Sequence, residues 1–324
     1  MTSIRRSAAV AALATLAVTS AGVTACSSSD TSSNAHQLTV AYVVDPSWSH
    51  VPVAQKAGYF RSHGLDVKVV NFSTGVEALQ ALTAGQVDVA TAAAVPTSAA
   101  VTKSPSLRIV ADGARWNGAR LVARRSAGIA SLADLNNKTI GTPLGTSGAF
   151  FASTVVQHSG TDARLIQVAP SAVVTAATQH NVDAISIFQP YQTQVIQALG
   201  DDAVVLKDNS PESFVDHCLY LSTEATTNGK ATDLSAFFAA LRDAGKDLTA
   251  QKPEAIAAVA DAVKLDSALI SSVLKEYDFT LQLKPQLAEE LTALGNWAKS
   301  NGKIDGNVKL PDYQSFVIGK FIGV

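Results

Sequence analysis

The feature that most constrains the fold is a pattern the chain uses twice. Across residues 58–90, Val67, Val69 and the run to Phe72 read as a strand and Ser73-Thr74-Gly75 as a polar turn. Residues 76–83 then carry helical apolar periodicity, and residues 87–90 begin the next strand. The second copy starts with a strand at 139–142, which enters Gly145-Thr146-Ser147-Gly148 and a helix over 149–158. A helix over 171–178 then leads to Asn181-Val182-Asp183-Ala184-Ile185, which parallels Gln86-Val87-Asp88-Val89-Ala90. Each copy continues to a proline, Pro96 and Pro190. The simplest architecture with such a repeat is α/β with two related lobes, each carrying a hydroxyl-rich loop where a strand hands over to a helix.

Such loops expose the unpaired N–H groups of a helix start, at the positive end of its dipole. Ser73, Thr74 and Gly75 in the first copy, with Thr146 and Ser147 in the second, are therefore expected to grip an anionic or polar ligand head from both sides; their alternative role is ordinary capping. A helix terminus contributes about 0.3–2 kcal/mol, whereas micromolar affinity needs about 8 kcal/mol. Direct hydrogen bonds and apolar contacts must supply the remainder. Ser47 and Trp48 follow the strand at 38–42, Trp116 is expected in a loop near a lobe crossing, and Gln189 and Tyr191 flank Pro190. All five are candidate ligand contacts, with core packing as the competing role of the aromatics. Asp45 would suit a cationic ligand, and Arg115 or Arg120 a carboxylate or sulfonate. Arg124-Arg125 reads as a solvated rim.

The N-terminus predicts an extracytoplasmic protein. Arg5 and Arg6 precede an apolar run over 8–23, and Val23-Thr24-Ala25-Cys26 places small residues before a cysteine, as in a bacterial lipobox. The expected organisation is a signal peptide over 1–25, then a lipidated Cys26 and flexible Ser-rich tether over 26–37. Residues 38–116 and 213–324 form the first lobe with the C-terminal helices, and 117–212 form the second. The crossings are expected at Trp116-Asn117-Gly118 and near 209–212. Loss of Arg5 and Arg6 with the leader moves the formal charge from −2 to −4, a balance that gives no reason to expect a nucleic-acid partner. Cys218 is the one other cysteine, so the processed chain has no partner for an intrachain disulfide. Its setting reads as a buried strand.

The chain resembles the substrate-binding lipoproteins of ATP-binding-cassette importers, in the NMT1/THI5-like group that includes sulfonate, taurine, nitrate and thiamine-pyrimidine binding proteins. The resemblance rests on Ala57-Gly58-Tyr59-Phe60, His63-Gly64-Leu65-Asp66-Val67, Gly75 with Ala78-Leu79-Gln80-Ala81-Leu82, Ala84-Gly85-Gln86-Val87-Asp88-Val89-Ala90, and Ser131-Leu132-Ala133-Asp134-Leu135 before Lys138-Thr139-Ile140-Gly141. It implies the two-lobed type II periplasmic-binding-protein fold, a ligand cleft between lobes, a monomer, and permease and ATPase partners. The implied function is capture of a small polar or anionic organic molecule, of the sulfonate, nitrate, taurine or pyrimidine-precursor class, and its delivery to the permease. A lipid-anchored ligand sensor is the alternative. The chain departs from the group's pattern at His180-Asn181, where Gly is common, and in the loop at 45–50.

Catalytic motifs are missing from the sequence. Gly145-Thr146-Ser147-Gly148 is one residue short of G-x-S-x-G, and Ser272-Val273-Leu274-Lys275 fits S-x-x-K inside a helical pattern without a K-T-G partner. The six histidines are scattered, without close metal-ligand spacing, and the cysteine-rich iron-binding segment of the related pyrimidine-synthesising enzymes is missing. The expectation is a binding protein, not an enzyme, without metal or cofactor.

Overall fold

A computed structural model of the protein describes residues 36–208 and 214–323. The expected leader, Cys26 and nearly all of the tether lie outside the described residues, as does the crossing expected near 209–212. Within the compact unit Asn34–Val324 the described strands form two sheets. The first contains β1 (His36–Val43), β2 (Leu65–Phe72), β3 (Val89–Ala93), β4 (Leu107–Trp116), β10 (Asp216–Thr223) and β11 (Tyr277–Asp278), in the order β11-β4-β10-β3-β1-β2. The second contains β5 (Leu121–Arg124), β6 (Thr139–Thr142), β7 (Arg164–Gln167), β8 (Ala184–Ser186) and β9 (Ala203–Leu206), in the order β7-β6-β8-β5-β9. The chain thus makes the two-sheet α/β architecture that the repeated pattern predicts.

The repeat has a physical basis in paired aspartates. Asp88 precedes β3 and accepts the Thr39 N–H of β1 on Oδ2 at 2.8 Å, while its own N–H donates to the Thr39 carbonyl at 2.8 Å. Asp183 does the same before β8: Oδ2 accepts the Thr139 N–H of β6 at 2.9 Å, and the Asp183 N–H returns to the Thr139 carbonyl at 3.0 Å. In each sheet one carboxylate locks the register of two parallel strands, Ala41 opposite Ala90 in the first and Gly141 opposite Ile185 in the second. The Val-Asp pair is therefore explained as a structural clamp.

Strand direction decides which loops meet. β1, β2 and β3 are parallel, and β10 runs antiparallel to β3, with Cys218 opposite Ala93. The beginning of β10 consequently lies at the edge where β1 and β3 end, which is where open α/β sheets bind ligands. Residue 216, far from residue 45 in sequence, is brought to the same edge.

The helical C-terminal portion packs on the first sheet's side. In the Ala231–Thr249 helix, Leu234, Phe237, Phe238, Leu241, Ala244 and Leu248 are buried on one stripe at three- and four-residue spacing. Phe237 stacks on Phe60 at 5.4 Å, and Phe238 meets Tyr220 of β10 edge-on at 5.8 Å. Further along, the Gln286–Ser300 helix packs against the Ala94–Lys103 helix. The Ser267–Val273 helix continues as a 3-10 turn over Leu274–Glu276. Tyr277 and Asp278 then add the edge strand β11, pairing with Trp116 and Arg115 of β4. No described helix is long and apolar enough to cross a membrane.

Candidate functional site

The floor of the site is the turn after β1. Asp45 has extended backbone and its Oδ1 accepts the Ser47 N–H at 2.7 Å, capping the one-turn Pro46–Trp48 helix, whose φ at the first position is preset by Pro46. That turn fixes Asp45, Ser47 and Trp48 relative to one another. The Trp48 indole N–H donates to the Leu219 carbonyl of β10 at 3.1 Å, and the Ser47 hydroxyl donates to the Tyr277 hydroxyl at 3.4 Å. Asp216, the first residue of β10, joins them from two strands away, across β3.

The opposite wall comes from the second sheet, through Thr146 and Ser147 at the start of the Ser147–Ser159 helix and Phe188 after β8. These groups enclose an inner cavity of about 20 Å³, closed further by Gly75 and Pro96. That volume accommodates about one water molecule. Next to it lies an outer crevice of about 360 Å³, which shares Pro96 with the inner cavity. Its walls are Val76, Leu79, Val95 and Ala99 on the first side and Leu144 and Gly145 on the second, with Trp297 from the Gln286–Ser300 helix. An acidic inner pocket therefore adjoins a largely apolar antechamber between the two sheets.

Both inner carboxylates carry raised pKa values. Burial pushes Asp45 up to about 7; bonds from Ser47 pull it partly back and the Asp216 charge pushes it higher. Burial also pushes Asp216 up to about 7, against a hydrogen bond from the Ser147 side chain and the positive charge on His217. Asp216 is only 4 % exposed, and its Oδ1 has no hydrogen-bond partner among the described residues. No lysine, arginine or histidine lines the inner cavity.

The candidates read from the sequence divide accordingly. Ser47, Trp48, Gly75, Thr146 and Ser147 meet at the inner cavity. Tyr191, half-buried, faces the Asp45 charge, which with burial raises its phenol pKa. Ser73 and Thr74 instead serve a cap: the Thr74 hydroxyl accepts the Glu77 N–H at 3.3 Å, and Glu77 Oε2 accepts the Ser73 and Thr74 N–H groups at 3.1 and 3.2 Å. A carboxylate of the chain thus already occupies the helix terminus where an anionic ligand was expected. The T-x-x-E spacing of a capping box announces this arrangement. Gly75 touches the cavity, but a Cβ there would stand 3.0 Å from Ala92 Cα, so close helix–strand packing accounts for the glycine.

Trp116 lies at the end of β4, not in a loop; its indole donates to Glu276 at 2.8 Å and its ring stacks on Tyr277 at 6.0 Å. Gln189 is buried and its Oε1 accepts from the Thr193 hydroxyl at 2.8 Å, holding the start of the Tyr191–Leu199 helix. Neither lines the cavity. Arg115 is held by Asp112, Asp278 and the Thr280 carbonyl, and Arg120 by the Asn117 and Ala119 carbonyls. Arg124, read as a rim residue, is buried and donates to the Val182 carbonyl at 3.1 Å. The sequence reading overlooked Asp216, whose one signal is an acidic residue opening an otherwise apolar strand.

The family model described as NMT1/THI5 like matches residues 45–256. The chain belongs to that family. A relative from Brucella abortus (strain 2308) is 33 % identical over 156 residues, 47 % of this chain and 47 % of the relative, so the chain spans about half the length of the curated relatives it matches. In fold it is similar to the alkanesulfonate-binding protein SsuA from Xanthomonas axonopodis pv. citri bound to MOPS, with a TM-score of 0.75 and 19 % identity over 88 % of this chain and 98 % of that one. The desulfurization enzyme DszB shares the fold at TM-score 0.64 and 11 % identity, covering 88 % of this chain and 97 % of that one. The two-lobed type II periplasmic-binding fold is thus established, and its occurrence in an enzyme leaves activity to be argued from the site.

Proposed function

We propose that this NMT1/THI5-like protein is an extracytoplasmic substrate-binding lipoprotein of an ATP-binding-cassette importer. In this reading Cys26 carries the lipid, lobes 38–116 with 213–324 and 117–212 close on a small polar organic molecule, and the closed form is presented to a permease driven by its ATPase. The observation that carries it is the inner cavity, to which loops of both sheets contribute and where the Ser147 side chain of one lobe hydrogen-bonds the buried Asp216 of the other. A group at that junction contacts both lobes at once, so its binding energy favours the closed arrangement over the open one. The proposed contacts are Ser47, Trp48, Gly75, Thr146, Ser147 and Tyr191, joined by Asp45 and Asp216.

Binding without turnover fits the chemistry available. Burial raises the Cys218 thiol well above its ordinary value, and Sγ lies 3.7 Å from the Asp216 carbonyl, so it is held as a protonated, inert thiol. The cavity-lining serines have no histidine beside them to act as base. The test is a thermal-shift screen of the purified protein against sulfonates, nitrate, taurine, aminopyrimidines and small amines, followed by small-angle scattering on any hit. Ligand at 100 times its dissociation constant should stabilise by about 2.7 kcal/mol, with a smaller radius of gyration and the ligand recovered intact. Stabilisation without compaction, or chemical conversion of the bound compound, would count against the reading.

A further inference from the structure

The charge of the cleft distinguishes between ligand classes. Asp45 and Asp216 place two carboxylates against one small cavity, with no cationic side chain lining it. Of the positive groups nearby, His217 and Arg115 already have partners, and Lys103 and Lys303 line the outer crevice, not the inner cavity. His217 Nδ1 lies 2.8 Å from Asp112 and Nε2 lies 2.7 Å from Glu290, while Arg115 is paired with Asp112 and Asp278. The Ser147–Ser159 helix offers its N-terminus, equivalent to roughly half a positive charge, against two carboxylates that are both ionised above about pH 7. The other helix start at the cleft, beginning at Gly75, is covered by Glu77. An anionic head placed here would face a net negative field in a buried site, where charge repulsion is poorly screened.

A cationic head would do the opposite. It would partner the orphaned Oδ1 of Asp216, a buried acceptor that ordinarily requires a donor, and bridge it to Asp45 by charge-assisted hydrogen bonds. Trp48 beside the cavity and Tyr191 facing Asp45 add aromatic surface suited to a desolvated cation. The adjoining crevice of about 360 Å³ falls in the range of small-molecule sites; Val76, Leu79, Val95 and Leu144 give it a largely apolar wall suited to an apolar body, with Lys103 and Lys303 also lining it. A metal ion is a poorer match, since hard divalent cations take six or more oxygen ligands and no cluster of three or more acidic, histidine or cysteine groups able to hold a metal occurs among the described residues.

Building on the receptor reading, we infer that the ligand is a small organic cation. Its ammonium or amidinium N–H head is held between Asp45 and Asp216, and its apolar body fills the outer crevice. The decisive experiment compares ligands that differ only in the head. Hexylammonium, methylammonium, hexanesulfonate and calcium chloride are titrated calorimetrically into the purified protein at about pH 8, where the carboxylates are ionised.

Hexylammonium should bind, more tightly than methylammonium because of its tail, and hexanesulfonate and calcium should not. Asp216→Asn and Asp45→Asn should each weaken hexylammonium by about tenfold or more, the loss expected of one charge-assisted hydrogen bond. Glu254→Gln, exposed on the Pro253–Val263 helix and outside the cavity, should leave its affinity unchanged. Tighter binding of hexanesulfonate or calcium, or unchanged hexylammonium affinity in a folded Asp216→Asn protein, overturns the inference. If hexanesulfonate binds and compacts the protein, the receptor reading survives while the cationic class falls. Silence toward every compound of both screens counts against both.

Discussion

Asp216 shows how one residue can be costly to the empty protein and useful to the bound one. A carboxylate whose folded pKa is raised to about 7 is ionised above that pH at an expense the unfolded chain does not bear. Its effect on unliganded stability is unfavourable above about pH 7 and fades as pH falls toward the ordinary carboxylate value. Asp45 behaves alike. His217 acts in the same direction at higher pH. Burial opposes its charge, but the hydrogen bonds it donates to Asp112 and Glu290 prevail and raise it to about 10, so its stabilisation is full below about 6.5 and lost as pH rises through 10. His50 acts oppositely: burial lowers it to about 4, so its contribution is lost as pH falls from 6.5 toward 4. Replacing Asp216 by Asn isolates one of these contributions. Asp216→Asn should raise unliganded stability at pH 8 by on the order of 1–3 kcal/mol and by progressively less toward pH 4. Thermal melts of both proteins across that range check the sign; equal stabilisation at every pH would assign the gain to packing instead.

At the scale of elements, two helix starts that look alike in sequence do different work. The Thr74 hydroxyl and Glu77 carboxylate satisfy each other's backbone donors in a capping box, whereas Thr146 donates to the Pro143 carbonyl and makes no side-chain cap, leaving Ser147 to reach Asp216. Thr74→Ala should therefore cost about 0.5–2 kcal/mol of unliganded stability with ligand affinity nearly unchanged. Ser147→Ala should reduce affinity, and the loss of its hydrogen bond to Asp216 should cost the empty protein about 1 kcal/mol. Chemical denaturation paired with calorimetry reads both quantities for each variant, and lost affinity in Thr74→Ala with none in Ser147→Ala would return the first loop to the site. The Val-Asp clamps belong to this scale too. Asp183→Ala strips acceptors from the Thr139 N–H and hydroxyl and should destabilise by about 1–3 kcal/mol, visible as a lower denaturant midpoint.

These cases also show what the chain reveals before it folds. Strand–helix alternation is a local pattern, so both sheets and the buried stripe at Leu234, Phe237 and Phe238 were legible. The role of Glu77 is legible too, in T-x-x-E spacing. Asp216 was not legible: it reaches Asp45 only because β10 inserts antiparallel beside β3, a non-local pairing with no short-range signature. Trp116 was misplaced for a related reason. β4 extends to it because the distant residues 277 and 278 return as β11 to pair with its end.

For the molecule as a whole, the proposed closure would be coupled to the acid pair, because the two carboxylates are buried at a cavity to which both sheets contribute. Groups around them set the balance. Asp45 is faced by Tyr42, Tyr191, Tyr277 and Asp216; Asp216 is faced by Ser147 from the second lobe and by His217, Asp112 and Cys218 from the first. Apart from His217, already between Asp112 and Glu290, none supplies a positive charge. Below about pH 7 the carboxylates gain protons and the empty cleft closes without a buried charge to desolvate. Above it, closure of the empty protein must bury two like charges, which opposes it. A cationic ligand removes that opposition, so its binding should release the pH dependence while itself strengthening as pH rises. Small-angle scattering of the unliganded protein should give a larger radius of gyration at pH 8.5 than at pH 5.5, and hexylammonium at pH 8.5 should restore the compact value. Because the ligand shifts the equilibrium only by its preference for the closed state, Asp216→Asn, with Asp45 alone left to desolvate, should show a smaller change of radius between the two pH values and respond weakly to the ligand. A wild-type radius independent of pH would uncouple the carboxylates from lobe motion and confine their role to contact with the ligand.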